Sequence, residues 1–176
     1  MYDPNVFTLN LEQLLSGSPL DTAIGVLQVT VQSARSLKGT KLGGGSPDPY
    51  VSLSINERAE LARTKYKPDT FNPTWAETKF LLINSITDSL VLTVYDYNEI
   101  RKDSLLGSAS FALEQLRIDA KHEGVESHIL KDGKERGQLR YDVSYFPVLK
   151  PQIANGKEEP LPETSLYFLK VAGIIC

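Results

Sequence analysis

The chain has 176 residues, a formal net charge of −3, 41% hydrophobic and 23% charged residues, so it can bury a sizeable core and is too apolar to be a disordered chain. The acidic balance excludes a nucleic-acid binder that works through bulk positive charge and leaves any affinity for anions to a local patch. One cysteine, Cys176, excludes an internal disulfide framework and fits a reducing compartment, and no apolar run approaches the roughly 18–20 residues of a membrane-spanning helix.

Residues 1–22 differ in character from the rest of the chain. In "LNLEQLLSG", Leu11, Leu14 and Leu15 fall at helical spacing before Gly17, which predicts a short N-terminal helix or ordered linker that packs on a neighbour. From residue 23 to 148 the pattern is almost entirely β. "VLQVTVQ" places Leu27, Val29 and Val31 on one face and Gln28, Thr30 and Gln32 on the other. "YVSLSI", "LARTKYK", "ETKFLLI", "DSLVLTVYD", "LLGSASFAL", "ESHIL" and "GQLRYDVSYF" come next, each bounded by Gly, Pro, Asn or Asp. About eight short strands with turn signals between them predict an all-β, antiparallel fold, and one apolar face per strand favours a sandwich over a barrel. "LEQLRIDA" is short enough to be a connection. Residues 149–176 read as a Pro-rich, charged linker that turns apolar in "LYFLKVAGIIC".

Several residues carry candidate chemistry. Asp48 sits between Pro47 and Pro49 at the lip of a strand, where a carboxylate either caps a turn or serves as a metal ligand. Arg63, Lys65 and Lys67 recur at every second position, so a strand would put all three on one face, with Ala62, Thr64 and Tyr66 opposite and Lys79 close by. Such a face attracts anionic lipid headgroups at about 1 kcal/mol per cation, or is a solvated strand face. Trp75 reads as a core residue next to the Asn72–Pro73 turn. Gly43, Gly44 and Gly45 lack the Lys-Ser/Thr and following helix of a phosphate loop. His122 and His128 have no Cys or acidic residue at ligand spacing and read as surface or linker positions. No nucleophile or histidine accompanies Asp96 and Asp103, which argues against an acid–base hydrolase and against enzymatic activity.

Taken in order, "GVLQVTVQSARSL", "SPDPYVSL", "TKYKPDTFNPTWAETKFLL" and "LVLTVYDYNEIRKDSLLGSASFAL" resemble a C2 domain. "GQLRYDVSYFPVL" resembles the stretch that opens synaptotagmin C2 domains, yet here it closes the domain, which is the circularly permuted, type II arrangement. The flanks resemble those of the first C2 domain of the tricalbin and extended synaptotagmin family, which follows a lipid-transfer module. The resemblance implies an eight-stranded β-sandwich that binds anionic phospholipid membranes. Its parent would tether membranes from the endoplasmic reticulum at contacts with the plasma membrane, with this domain on the cytosolic side. The alternative is a module that binds partner proteins or neighbouring domains of its own parent without touching lipid.

In that family, Ca²⁺ is held by aspartates of two loops. Asp48 and Asp96 match ligand positions, Asn98 supplies a neutral oxygen, and the last position falls on Ser104, with Asp103 one residue off register. Lys41 or Leu42 stands where the first aspartate belongs. A cation there opposes a divalent ion, so the resemblance implies Ca²⁺ binding that is weak or lost. Lys41, Leu42, Ile100, Arg101 and Lys102 would lie on the loop tips that face a bilayer.

Overall fold

A computed structural model describes residues 23–39 and 45–147, together with the backbone of 153–154 and 157–158. The predicted N-terminal helix, Lys41 and Leu42 lie outside the described residues. By its internal contacts the chain divides into two units, Met1–Phe146 and Pro147–Cys176. In the second, β9 (Ile153–Ala154) and β10 (Lys157–Glu158) form a short antiparallel pair.

The first unit contains β1 (Gly25–Arg35), β2 (Pro49–Ile55), β3 (Ala62–Arg63), β4 (Thr74–Ile83), β5 (Ser89–Asp96), β6 (Ser104–Ala112), β7 (Lys121–Lys131) and β8 (Lys134–Pro147). "LEQLR" forms a 3-10 turn, Leu113–Arg117, between β6 and β7. The antiparallel strands run in the order β3-β2-β5-β6-β7-β8-β1-β4. The final strand β8 lies beside the first strand β1, which is the permuted order expected from "GQLRYDVSYF".

The hydrogen-bonded ribbon folds into two layers where β6 meets β7, because a single pair, Ser108 and Leu130, joins those strands. Gly107 permits the fold. Its φ is +151°, and a Cβ there would stand 2.8 Å from Ile129 Cγ2 and from the Leu130 carbonyl oxygen. Asp132 and Gly133, both at positive φ, make the two-residue turn that returns β7 into β8.

Alternation fills the space between the layers. Leu27, Val29 and Val31 of β1, with Leu139, Tyr141 and Val143 beside them on β8, join Val51 and Leu53 of β2 and Leu92 and Val94 of β5 in one cluster. Each such aliphatic side chain contributes about 1.5–3 kcal/mol when fully buried. Trp75 belongs to this core and donates its indole N–H to the Pro49 carbonyl at 3.2 Å.

Two expected elements differ from the observed ones. "LARTKYK" is regular strand only at Ala62–Arg63. Thr64 N–H and Lys67 N–H still bond Val51 and Pro49 carbonyls, but Pro68 comes directly after and disrupts the ladder. "ESHIL" is the end of the longer strand β7, which bulges at Gly124 (φ +62°).

Candidate functional site

The β1–β2, β3–β4 and β5–β6 loops and the β7–β8 turn all emerge at one end of the sandwich. Asp96 closes β5 there and is 4% exposed. Its Oδ1 accepts the Asp48 backbone N–H at 2.8 Å, and Asp48 Oδ1 accepts the Asp69 N–H at 2.7 Å. The Asp48 carbonyl in turn accepts the Tyr97 N–H, and Ser46 Oγ donates to the Asp69 carboxylate. These bonds pin three loops together, as turn-capping carboxylates do.

Asp103 points elsewhere. Its Oδ2 accepts the Tyr50 hydroxyl at 2.7 Å and its Oδ1 the Asn98 N–H at 2.8 Å. Burial, then the hydrogen bond to Asp103 and that carboxylate's charge, push the Tyr50 phenol up to about 12. Asn98 Oδ1 accepts from the Ile100 and Arg101 N–H groups at 3.2 and 3.0 Å, closing its own loop. Among the described residues, no three acidic, His or Cys side chains gather at metal-binding spacing. Ca²⁺ takes six to eight oxygens, and here Asp48 Oδ1, Asp96 Oδ1, Asn98 Oδ1 and both Asp103 oxygens each accept a hydrogen bond from a protein donor.

The four basic residues do not form one face. Arg63 Nε pairs with Glu60 at 3.2 Å and its guanidinium lies over the Tyr50 ring, 5.7 Å from the centroid. Lys79 stands opposite Val29 in the register, on the core-facing side of β4, and pairs with Glu77 at 3.0 Å. Glu77 also accepts the Lys65 backbone N–H. Lys65 is exposed and Lys67 half-buried, and neither ammonium has a carboxylate partner among the described residues.

On the outer face of β2, β5 and β6 runs a trough of about 470 Å³, floored by Tyr50, Ser52, Ser54, Thr93, Tyr95 and Ser108. Its charged lining is mixed, with Arg58 and Lys102 against Glu57, Glu60 and Asp103. It is a polar, hydroxyl-lined surface, and its cations do not predominate.

Ile100 is 91% exposed at the tip, with Arg101 and Lys102 exposed beside it. Tyr66, expected to face away from the lysines, is exposed at the same end and stacks on Tyr97 with ring centroids 4.4 Å apart and planes 7° from parallel. The pair joins two loops, and nothing in the spacing of residues 66 and 97 signals the contact in the sequence. His128 pairs with Glu135 on the surface, whereas His122 lies on β7 in an edge-to-face contact with Phe111, so it is a packing residue and not a linker histidine.

A family profile described as "C2 domain" matches residues 25–130. The chain is 37% identical to Tricalbin-1 and 34% identical to Tricalbin-2 of Saccharomyces cerevisiae, in each case over 96% of its own length. It spans 14% of the length of either relative. Among solved structures, an isolated C2 domain of plant Extended Synaptotagmin 1 matches with a TM-score of 0.62 and 24% identity, covering 73% of this chain and 98% of that one. The calcium-bound tandem C2 domains of Extended-Synaptotagmin 2 match with a TM-score of 0.58 and 20% identity, covering 71% of this chain and 46% of that one.

Proposed function

The chain belongs to the C2-domain family, and from that premise we propose that residues 23–148 form a non-catalytic module that binds anionic phospholipid membranes through the loop end. Its attachment is independent of Ca²⁺ or only weakly dependent on it. The observation that carries this reading is Asp103, whose two carboxylate oxygens are taken by Tyr50 and Asn98 and are thereby withdrawn from a shared site with Asp96. Lys65, Lys67, Arg101 and Lys102 supply cations at that end, each worth about 1 kcal/mol near an anionic surface. The paired Arg63 and Lys79 contribute less. The similarity to tricalbins supports a parent protein that tethers membranes at contacts between endoplasmic reticulum and plasma membrane, in association with lipid transfer, with this domain on the cytosolic side.

Co-sedimentation with vesicles containing phosphatidylserine tests the reading. Lys65→Glu/Lys67→Glu weakens binding at least about tenfold, since two cations worth about 1 kcal/mol each are reversed. Binding unchanged in that variant would remove the basic tip from the account, and wild-type protein left in the supernatant with every vesicle would remove membrane binding altogether.

One observation favours a second contact. Ile118, 94% exposed at the opposite end beside Leu113–Arg117, offers an apolar side chain to a neighbouring domain of the parent protein. If this were the module's whole role, vesicle binding would be absent and Ile118→Ser would weaken association with that neighbour.

A further inference from the structure

The exposed large apolar residues are unevenly placed. Tyr66, Phe71, Ile100, Leu105 and Leu130 lie at or next to the loop end, whereas among the described residues only Ile24 and Ile118 lie at the other. Single exposed apolar side chains are ordinary, but a group of them at one end marks a contact surface. Tyr66 is the most constrained of them. It is 47% exposed, yet its ring is held flat against Tyr97, whose N–H is bound to the Asp48 carbonyl. The next residue, Lys67, is bound through its N–H to the Pro49 carbonyl.

A tyrosine has an apolar body and a polar hydroxyl, the combination suited to the boundary between headgroups and acyl chains. Because the stack already fixes both rings, little side-chain freedom remains to be lost on contact. We propose that Tyr66, backed by Tyr97, is an interfacial anchor that seats the loop end in the headgroup layer of a phospholipid bilayer, zwitterionic lipid included. This rests on the membrane-binding reading above and deepens it, by adding a contact that neither anionic lipid nor Ca²⁺ supplies. The occupant is a bilayer because the surface is a set of protruding loops with Ile100 almost fully exposed, and because Lys65 and Lys67 flank Tyr66. Cations beside an aromatic body complement phosphates above a hydrocarbon boundary.

The test uses co-sedimentation in chelator with vesicles of phosphatidylcholine alone and of phosphatidylcholine with phosphatidylserine, at low salt and at about 0.5 M salt, where charge attraction is screened within a few ångströms. Wild-type protein partitions measurably onto phosphatidylcholine and keeps a salt-resistant fraction on the anionic vesicles, since only the charge-driven part is screened. Tyr66→Ser lowers both quantities at least about threefold while low-salt binding to anionic vesicles changes less. Lys65→Glu/Lys67→Glu does the reverse. Tyr66→Ser binding phosphatidylcholine as well as wild type would overturn the anchor. So would a wild type that binds anionic vesicles and ignores phosphatidylcholine; either result leaves the basic-tip reading standing. Absence of binding to any vesicle overturns both. Tyr66→Trp gives a readout that tolerates no loss of fold, because its indole is quenched by bromine-labelled acyl chains while the buried Trp75 is not. Emission unaffected by brominated lipid also overturns the proposal.

Discussion

The hydroxyl of Tyr50 and the carboxylate of Asp103 lie 53 residues apart in sequence and 2.7 Å apart in space. Tyr50→Phe strands one carboxylate oxygen and destabilises the domain by about 1–2 kcal/mol at neutral pH, measurable as a lower midpoint of denaturant unfolding. The bond also predicts a pH response. The phenol titrates near 10 when unfolded and is pushed up to about 12 in the fold, so the folded state holds its proton more tightly. The stability is therefore complete below about pH 10 and disappears as pH rises through about 12. The gap in melting temperature between wild type and Tyr50→Phe narrows across that window, and a gap that widened would refute the assignment. Asp96 acts through a hydrogen bond to the Asp48 N–H. Asp96→Asn, which keeps an acceptor oxygen, is close to neutral for stability, whereas Asp96→Ala costs about 1–2 kcal/mol. At this scale the sequence shows which residues stand at strand ends. It does not show where their oxygens turn, because the partners of Asp48, Asp96 and Asp103 come from other loops.

Strand elements were legible wherever a face is buried, because alternation is itself the consequence of burial. β1 follows it closely, with Leu27, Val29 and Val31 fully buried, and β5 does so over Leu92 and Val94, whereas β2 is buried at every position. It failed in "LARTKYK", whose alternating charges imitate a strand face although regular pairing stops at Arg63. The alternation there came from solvated residues, which no core enforces. Lys79 shows the complementary case. Its register against Val29 turns it to the core side, and the ion pair with Glu77 makes that orientation tolerable at a sheet margin. The β6–β7 fold was invisible in the pattern, since one glycine and one strand pair create it. Gly107→Ala forces a Cβ to within 2.8 Å of Ile129 and the Leu130 carbonyl, and we expect a loss of about 2–4 kcal/mol. Urea unfolding checks this: the midpoint falls while the slope stays unchanged.

Across the whole sandwich, charges of both signs stand at both ends, and the end opposite the loops is the more acidic. Lys65, Lys67, Arg101, Lys102, Lys131 and Lys134 belong to the loop end together with Asp48, Asp69, Glu99, Asp103, Asp132 and Glu135, whereas Glu57, Glu60, Asp88, Glu114, Asp119 and Glu123 belong to the other end with Arg58, Arg117 and Lys121. Acidic residues at the loop end are partly engaged, Asp69 with Ser46 and Asp103 with Tyr50. A negatively charged bilayer would therefore repel the opposite end more strongly than the loop end, over a Debye length of about 8–10 Å. Composition gave only the net charge; its distribution required the topology that gathers four connections at one end.

The module is proposed to attach to membranes through this end without a bound cation. The most direct test is co-sedimentation of the wild-type domain with phosphatidylserine-containing vesicles at physiological salt, in millimolar Ca²⁺ and in chelator. Binding is expected in both, with apparent affinities within about threefold, a difference of less than about 1 kcal/mol. Binding that appears only in Ca²⁺ and is abolished by Asp96→Asn would contradict it.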